Sequence, residues 1–367
     1  MFIYLYYVNN INMKKKNIIL LLIIYMFFSL INLSGTSSLV RQLIFYGITL
    51  TFIYFYRKDF IKKNIRYLYL IFNAILLYLL LFGKSVNGSK AWISLGFFSF
   101  QPSEFMKIIL LIYLSYIVTK YDKYKLKCLI ITLIPSILTF LEPDTGNVVF
   151  YFVILFSIIL YNEKNNKKIL LYCGVLVALL GSLSLAYILF SDFFINIFGY
   201  SVYYRVERIL TLFDNSSFQL NRALIGIGNG HLFGSSEIAS IPYETTDFAF
   251  SYLVSNIGFI GSLVFLGFNL YVDLYFIKNI RASFGIDKNI MFGFVIMKIV
   301  QESIHILMNI GLFPITGITL PFISYGGSSL LSYALILGYL SKDNYSMGID
   351  KDIGKGKVLG CNKLGVV

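Results

Sequence analysis

Asp247 is the residue of this chain best placed for acid–base chemistry. It stands where a long polar segment meets an apolar run that starts at Phe248. A carboxylate at such a boundary is partly desolvated, which makes it a stronger proton acceptor and a usable general base. Asp is also a preferred N-cap residue. The position alone leaves two interpretations, a catalytic base and a structural cap of the following helix.

Two further acidic positions are candidates for a functional role. Glu104 and Lys107 stand three residues apart, a spacing that puts both on one face of a helix. They predict either an ion pair at the start of a helix or a pair of functional charges. Asp144 lies between Pro143 and Gly146, which are typical of a tight turn. It is interpreted as a turn residue or as a second carboxylate that binds a metal ion or a sugar.

Aromatic and basic residues elsewhere suit a sugar or a phosphate ligand. Trp92, the only tryptophan, follows Lys90 closely; it is either a membrane-interface anchor or a stacking surface for a sugar. Arg205 and Arg208 lie in the long polar segment before Asp247. Because Arg pairs with phosphate through two hydrogen bonds, these residues predict a diphosphate site or contacts with lipid headgroups.

A second group of charged residues lies inside apolar runs. Asp273 falls in one run, and Lys298, Glu302 and His305 fall in the next. Lys298 and Glu302 are four residues apart and can neutralise each other on a helix. Charges inside a membrane also form proton paths, which keeps a transporter as an alternative function.

The composition places these residues in a membrane protein. Hydrophobic residues make up 57% of the 367, the mean hydropathy is +0.76, and only 13% are charged. Soluble proteins have about 45–50% apolar and about 25% charged residues, so lipid must surround much of this chain. The net charge of +13 comes from basic connections between apolar runs rather than from a nucleic-acid site. Cys128, Cys173 and Cys361 have no metal-binding spacing.

Ten apolar runs are interpreted as membrane-spanning helices, which need about 20 residues. Backbone groups in lipid must be hydrogen-bonded within the segment, so these runs predict helices. The predicted fold is an all-α integral membrane protein, with residues 1–367 forming a single polytopic membrane domain. The predicted spans are 17–34, 40–56, 67–83, 105–119, 127–141, 147–161, 169–190, 248–276, 289–311 and 320–340.

The basic residues orient these spans. Lys and Arg are concentrated in every second connection and at both ends, at 14–16, 57–66, 120–127, 164–168, 278–288 and 342–363. Because basic connections face the cytoplasm, the sequence predicts cytoplasmic termini, a cytoplasmic tail at 341–367 and a long extracytoplasmic loop at 191–247, between spans seven and eight. Loops of this length are usually functional. Chemistry outside the cell has no ATP, so an already activated substrate is expected.

The run from Pro314 to Leu330, PITGITLPFISYGGSSL, carries a specific family resemblance. Other motifs of the same family occur in the same order, W-I at 92–93, Q-P-S-E-x-x-K at 101–107, P-D at 143–144 and T-D-F at 246–248. From about residue 85 to 335 the chain resembles the SEDS family, to which RodA and FtsW belong. The ten predicted spans agree with this resemblance.

The resemblance implies a peptidoglycan glycosyltransferase that polymerises lipid II at the outer face of the bacterial cytoplasmic membrane, in cell elongation, division or sporulation. The essential Asp of the T-D-F motif falls on Asp247, the predicted catalytic residue. The predicted substrate-binding residues are Lys90, Trp92, Glu104, Lys107, Asp144, Arg205, Arg208, Ser324, Gly326, Gly327 and Ser328. The implied partners are lipid II, membrane lipids and a class B penicillin-binding protein, with no nucleic acid. The resemblance implies no particular cofactor, and a divalent cation is left open as one.

Departures from the family pattern leave two other functions open. Thr245 replaces a frequent His before the T-D-F motif, Glu142 replaces a Gln, and His305 replaces a frequent Asn. Ser255-Asn256 stands in place of an acidic pair. A lipid II flippase, coupled to protons through the charges inside the spans, is one alternative. A non-catalytic scaffold for a penicillin-binding protein is the other.

Overall fold

The computed structural model describes residues 14–33, 35–56, 58–83, 91–94, 96, 99–142, 144–165, 167, 217–235 and 240–341. The predicted span at 169–190, most of the predicted loop at 191–247 and the tail at 342–367 lie outside the described residues. The predicted ligand residues Lys90, Arg205 and Arg208 also lie outside them.

Ten α-helices and one two-stranded antiparallel hairpin form the described part of the chain. The helices are α1 (Lys15–Ile31), α2 (Thr36–Phe55), α3 (Lys58–Phe82), α4 (Pro102–Lys120), α5 (Lys125–Leu141), α6 (Thr145–Asn162), α7 (Phe218–Asn229), α8 (Ala249–Ala282), α9 (Gly285–Asn309) and α10 (Gly327–Leu340). Strands β1 (Ile93–Ser94) and β2 (Ser99–Phe100) pair just before α4. Within these residues, α2, α3, α4, α6, α8 and α9 are long and apolar enough to cross a membrane. The predicted all-α, multi-pass membrane fold is confirmed, and the long extracytoplasmic loop stays a prediction.

Two differences from the predicted spans have local causes. The span predicted at 320–340 is helical only from Gly327. Before it, the carbonyl oxygen of Leu320 accepts hydrogen bonds from the backbone N–H groups of Ile323 and Ser324, which forms a tight turn. The second difference is α7, a 12-residue helix inside the predicted loop, whose N-terminus is capped by the hydroxyl of Ser217. This helix is too short to be recognised as a span.

Helix α4 is the central element of the bundle. It contacts α3, α5, α6, α9 and α10, and its residues from Met106 to Leu114 are all buried. Helices that are buried all round are normally apolar all round, yet Glu104 and Lys107 lie in the first two turns of α4. Their burial requires a counter-charge, which each supplies to the other.

Helix α8 is interrupted at Gly258, whose φ of 71° and ψ of −177° are not helical. The break removes the helical partner of the backbone N–H of Phe259, which donates instead to the carbonyl oxygen of His231 at 2.9 Å. A Cβ on Gly258 would lie 2.3 Å from the backbone nitrogen of Gly234, so only glycine fits. The turn after α7 thus supplies the hydrogen-bond acceptor that the break in α8 removes. The shorter, N-terminal part of α8 begins two residues after Asp247.

The charge pattern makes a testable prediction about orientation. Phe233, in the turn after α7, and Lys123, between α4 and α5, are both exposed. With the native cysteines replaced by serine, Phe233→Cys should react with a membrane-impermeant maleimide in intact cells. Lys123→Cys should react only after the cells are permeabilised. The reverse pattern would refute the predicted topology.

Candidate active site

A cavity of about 400 Å³ brings Asp247 together with several other predicted site residues. The predicted residues in its wall are Trp92, Glu104, Asp144, Asp247, Gly326 and Ser328. Gln301 and the segment 316–319 form other parts of the wall. Lys107, Ser324 and Gly327 are not among its lining residues.

Asp247 lies in the wall of the cavity, next to the start of α8. The N-cap of α8 is Phe248, so Asp247 lies one position before the cap. Asp247 lines the cavity, and its Oδ2 is 3.7 Å from the point where a Cβ on Gly317 would stand. Gly317 has a φ of 71°, so glycine both permits this turn and leaves room beside the carboxylate. Asp247 is therefore not the N-cap residue of α8, and its side chain is part of the cavity wall.

Glu104 and Lys107 form a buried ion pair at the edge of the cavity. Lys107 Nζ donates to Glu104 Oε2 at 3.0 Å and to Gln301 Oε1 at 3.4 Å. The ring centroids of Phe150 and Tyr333 lie 5.1 and 5.7 Å from Nζ. Because Lys107 is fully buried among these groups, only Glu104 of the pair reaches the cavity wall.

Removing one member of this pair should cost more than removing both. Glu104→Gln or Lys107→Met leaves a single buried charge, and such losses cost about 3–5 kcal/mol, whereas replacing the whole pair is often near neutral. Thermal melting in detergent should rank the double variant above either single variant. Lys120→Met, at the exposed end of α4, is the matched control. Single variants as stable and active as the wild type would show that the pair is dispensable.

Asp144 ties the start of α4 to the start of α6. Its Oδ2 accepts hydrogen bonds from Gln101 Nε2 at 2.8 Å and from Ser103 Oγ at 2.6 Å. It also accepts from Asn147 Nδ2 at 2.9 Å, and Oδ1 caps α6 through the backbone N–H of Asn147. These contacts favour the structural interpretation of Asp144, although its side chain also lines the cavity.

Glu142 stands where the family pattern has Gln, and its environment explains why Glu is accepted. The residue ends α5 and is fully buried. Burial, and next the negative charge of Asp144, raises the pKa of Glu142 to about 8. Its carboxyl group is therefore mostly protonated and neutral at pH 7, as a Gln amide would be.

Glu142→Gln should reduce the pH dependence of stability. Because the folded-state pKa lies above the ordinary value of 4.5, folding favours the protonated form. That contribution is complete below pH 4.5 and is lost as the pH rises through about 8. Thermal melting from pH 5 to pH 9 should show a decline in the wild type that is smaller in Glu142→Gln. An equal decline in both proteins would contradict the assignment.

Three of the residues predicted from the 314–330 run make contacts that hold neighbouring segments of the site in place. Ser324 Oγ donates to the carbonyl oxygen of Thr246 at 2.8 Å, and Ser324 does not line the cavity. Ser328 Oγ donates to the backbone of β2 at 2.9 Å. A Cβ on Gly327 would lie 2.4 Å from the ring of Phe45, so this glycine lets α10 pack closely against α2. The contact of Ser324 supports the segment before Asp247, and its predicted role as a ligand residue stays a prediction.

A larger cavity of about 800 Å³ adjoins the first, and the two share Trp92, Thr246, Tyr325 and Gly326. Its wall comes mainly from α2, α3, the hairpin and the start of α10, and it includes Arg41. Sequence reasoning missed Arg41. The available signal was its place near the start of α2, on the side that the charge pattern assigns to the outside, where cations are scarce.

The described residues do not form a metal site. No three His, Cys, Asp or Glu side chains among them come together in a way that could hold a metal ion. Of the cavity carboxylates, Asp144 accepts several hydrogen bonds and Glu104 pairs with Lys107. These two carboxylates are therefore already engaged and do not fit as ligands of a divalent cation.

The charges inside the spans form a separate cluster between α8 and α9. Lys298 Nζ lies 2.7 Å from Asp273 Oδ1 and 2.6 Å from Glu302 Oε1. Lys298 is fully buried, and none of the three residues lines either cavity. The cluster therefore joins α8 and α9 without lining either cavity.

Comparison with known proteins agrees with the motifs that line the cavity. The family model for FtsW, RodA and SpoVE, described as cell cycle protein, matches residues 13–346. The chain belongs to this family. A probable peptidoglycan glycosyltransferase FtsW of Wigglesworthia glossinidia brevipalpis is 33% identical over 377 residues, which covers 89% of this chain and 94% of the relative. The corresponding protein of Coxiella burnetii is 31% identical over 334 residues, covering 83% and 86%.

Solved structures share the fold of this FtsW/RodA/SpoVE family member. One belongs to a peptidoglycan synthase complex that coordinates polymerization and crosslinking; it superposes with a TM-score of 0.72 and 25% identity, covering 88% of this chain and 96% of that one. The rod shape determining protein RodA of Thermus thermophilus superposes with a TM-score of 0.63, 23% identity and coverage of 88% and 95%. The family resemblance read from the motifs is thus confirmed.

Proposed function

We propose that this family member is a peptidoglycan glycosyltransferase that polymerises lipid II into glycan strands. The observation that carries the proposal is the Asp247 carboxylate, which lines a cavity beside the start of α8. The relatives named above are probable peptidoglycan glycosyltransferases that align over most of both chains. The reaction takes place at the outer face of the cytoplasmic membrane, the side to which the charge pattern assigns this cavity.

Asp247 acts as the general base in this proposal. It accepts the proton of the acceptor sugar's hydroxyl group while that oxygen attacks the anomeric carbon of the donor sugar. A glycosidic C–O bond forms, the bond from the anomeric carbon to the phosphate oxygen breaks, and polyprenyl diphosphate leaves with the electron pair. A diphosphate needs little protonation to leave, so one base and nearby positive charge suffice.

The two adjoining cavities suit a reaction between two lipid-linked sugars. Trp92 is part of both walls and can stack on a sugar ring. Arg41 in the larger cavity is suited to the diphosphate, because a guanidinium group pairs with phosphate through two hydrogen bonds. Lys107 is not given this role because it is fully buried and pairs with Glu104.

A class B penicillin-binding protein is the proposed partner. The similar chain from the peptidoglycan synthase complex supports this choice, since that complex combines polymerization with crosslinking. The flippase alternative needs its proton-coupling charges beside the substrate path, and Lys298, Asp273 and Glu302 line neither cavity. The scaffold alternative needs no base, so it predicts no dependence on Asp247.

The test is polymer formation from purified components. The protein is incubated with lipid II and a penicillin-binding protein whose own transferase and crosslinking activities are disabled, and strand length is followed on gels. Strands that form without a membrane gradient support the polymerase. Lipid II that crosses vesicle membranes without being polymerised would favour the flippase, and no reaction of either kind would favour the scaffold.

Arg41 can be tested in the same assay. Arg41→Met should lower strand formation by about tenfold or more, because a hydrogen bond to a charged group contributes about 1.5–3 kcal/mol. Arg281→Met, at the exposed C-terminal end of α8, is the matched control. Equal activities of the two variants would remove Arg41 from the diphosphate site.

A further inference from the structure

The N-terminus of α8, which follows Asp247, is capped by side chains of another helix. The first turn of a helix leaves backbone N–H groups without partners inside the helix, and the N-cap residue here has an apolar side chain. Helix α9 supplies two acceptors. The backbone N–H of Phe250 donates to His305 Nε2 at 3.4 Å, and that of Ser251 donates to Asn309 Oδ1 at 2.9 Å.

These contacts define the protonation state of His305. The carbonyl oxygen of Ile318 can only accept a hydrogen bond and lies 2.7 Å from Nδ1, so Nδ1 carries a hydrogen. The backbone N–H of Phe250 can only donate, so Nε2 carries none. The fully buried His305 is therefore neutral, with its proton on Nδ1.

His305 connects the two chain segments that flank the Asp247 carboxylate. On its Nε2 side is the first turn of α8, and on its Nδ1 side is the segment 316–319. Gly317 of that segment lies beside Asp247 Oδ2. One turn further along α9, Asn309 Nδ2 donates to the carbonyl oxygen of Asp247 at 3.1 Å. One face of α9 thus contacts both the backbone of Asp247 and the segment 316–319, which lies beside the Asp247 carboxylate.

We infer that His305 is a positioning residue for Asp247. It fixes the distance between the α8 N-terminus and the 316–319 segment, and with it the direction of the Asp247 carboxylate. His305 lines neither cavity, so it acts through Asp247 and does not touch the substrate. The inference rests on the proposed function, because the direction of this carboxylate matters only if Asp247 is the base.

Three substitutions separate the two contacts of His305. His305→Leu removes both, His305→Gln keeps an acceptor near the Nε2 position, and His305→Asn keeps a donor near the Nδ1 position. In steady-state polymerisation, His305→Leu should lower kcat by about 10–100-fold, the scale of a small misplacement of a catalytic group, with KM for lipid II little changed. His305→Gln and His305→Asn should fall between His305→Leu and the wild type.

The decisive readout is the double variant Asp247→Asn/His305→Leu. If His305 acts only through the Asp247 carboxylate, its substitution should have no further effect once that carboxylate is gone. The double variant should then be no slower than Asp247→Asn alone. Effects that multiply would overturn the inference and leave Asp247 as the base. An Asp247→Asn variant with wild-type activity would remove Asp247 as the base and overturn the inference with it, whereas a wild-type protein that forms no strands would overturn the proposed function.

A control separates positioning from general loosening of the fold. Phe265→Leu disturbs the buried middle of α8, outside both cavities. It should lower the melting temperature without changing kcat at a temperature where the protein is folded. If Phe265→Leu and His305→Leu lose kcat in the same proportion to their loss of stability, His305 is only a structural residue and the inference fails.

Discussion

Asp247→Asn should reduce glycan-strand formation by about 10²-fold or more, the scale of a positioned general base, and leave the amount of folded protein in the membrane unchanged. Asn has nearly the same size as Asp but accepts no proton at neutral pH. The substitution should cost little stability, because His305 and Asn309 accept the hydrogen bonds of the Phe250 and Ser251 N–H groups at the start of α8, and Asn caps a helix about as well as Asp. Asp247→Glu should recover little, since the longer side chain moves the carboxylate toward Gly317.

The rate of strand formation by purified protein checks this prediction, with Asp122→Asn as the matched control. Asp122 lies in the exposed turn between α4 and α5, so its substitution should change neither rate nor stability. If Asp247→Asn keeps activity within a few-fold of the wild type, another base is required. Asp144 would then be next to test, although its hydrogen bonds from Gln101 and Ser103 already give it a structural role.

Lys298→Met should lower stability by about 3–5 kcal/mol, the usual cost of removing one partner from a buried ion pair. Lys298 is fully buried and lies within 2.7 Å of two carboxylates, Asp273 and Glu302. Without the lysine, these carboxylates repel each other in a low-dielectric environment unless they take up protons. The bond between α8 and α9 would then be lost, and the melting temperature of the purified protein should fall sharply.

A combined variant tests whether the charges themselves are needed. Lys298→Met together with Asp273→Asn and Glu302→Gln removes every charge of the cluster and should recover most of the lost stability. Lys278→Met, on the exposed surface of α8, is the matched control and should be close to the wild type. A triple variant that polymerises lipid II normally would also argue against proton coupling through these residues. A single Lys298→Met variant as stable as the control would refute the predicted role.

Some of the site could be predicted because helix ends on one side of a membrane lie at similar depth. Glu104, Asp144 and Asp247 each stand near the N-terminal end of an outward-starting predicted span, so their meeting at one cavity follows from the topology. The individual role of each carboxylate could not be predicted from the topology. Asp144 receives hydrogen bonds from residues 41 and 43 positions away, and no local pattern reveals such contacts.

Other parts of the site depend on backbone groups, which a pattern of side chains does not show. His305 was a lone histidine in an apolar run, and its partners are the backbone of Phe250 and Ile318. The Lys298–Glu302 pair followed from helical spacing, whereas the contact with Asp273 joins two helices and required the packing. Arg41 was missed because a single cation in an apolar run gives no spacing to interpret.

The break at Gly258 imposes an order on biogenesis. The carbonyl oxygens that receive the backbone N–H groups of Phe259 and Ile260 belong to His231 and Leu232, which the ribosome makes first. Helix α8 can therefore reach its final shape as soon as it enters the membrane. A chain in which the turn at 231–234 is deleted would leave these two N–H groups of α8 without their acceptors at the break in the helix. We expect such chains to remain incompletely inserted and to be removed by membrane proteases.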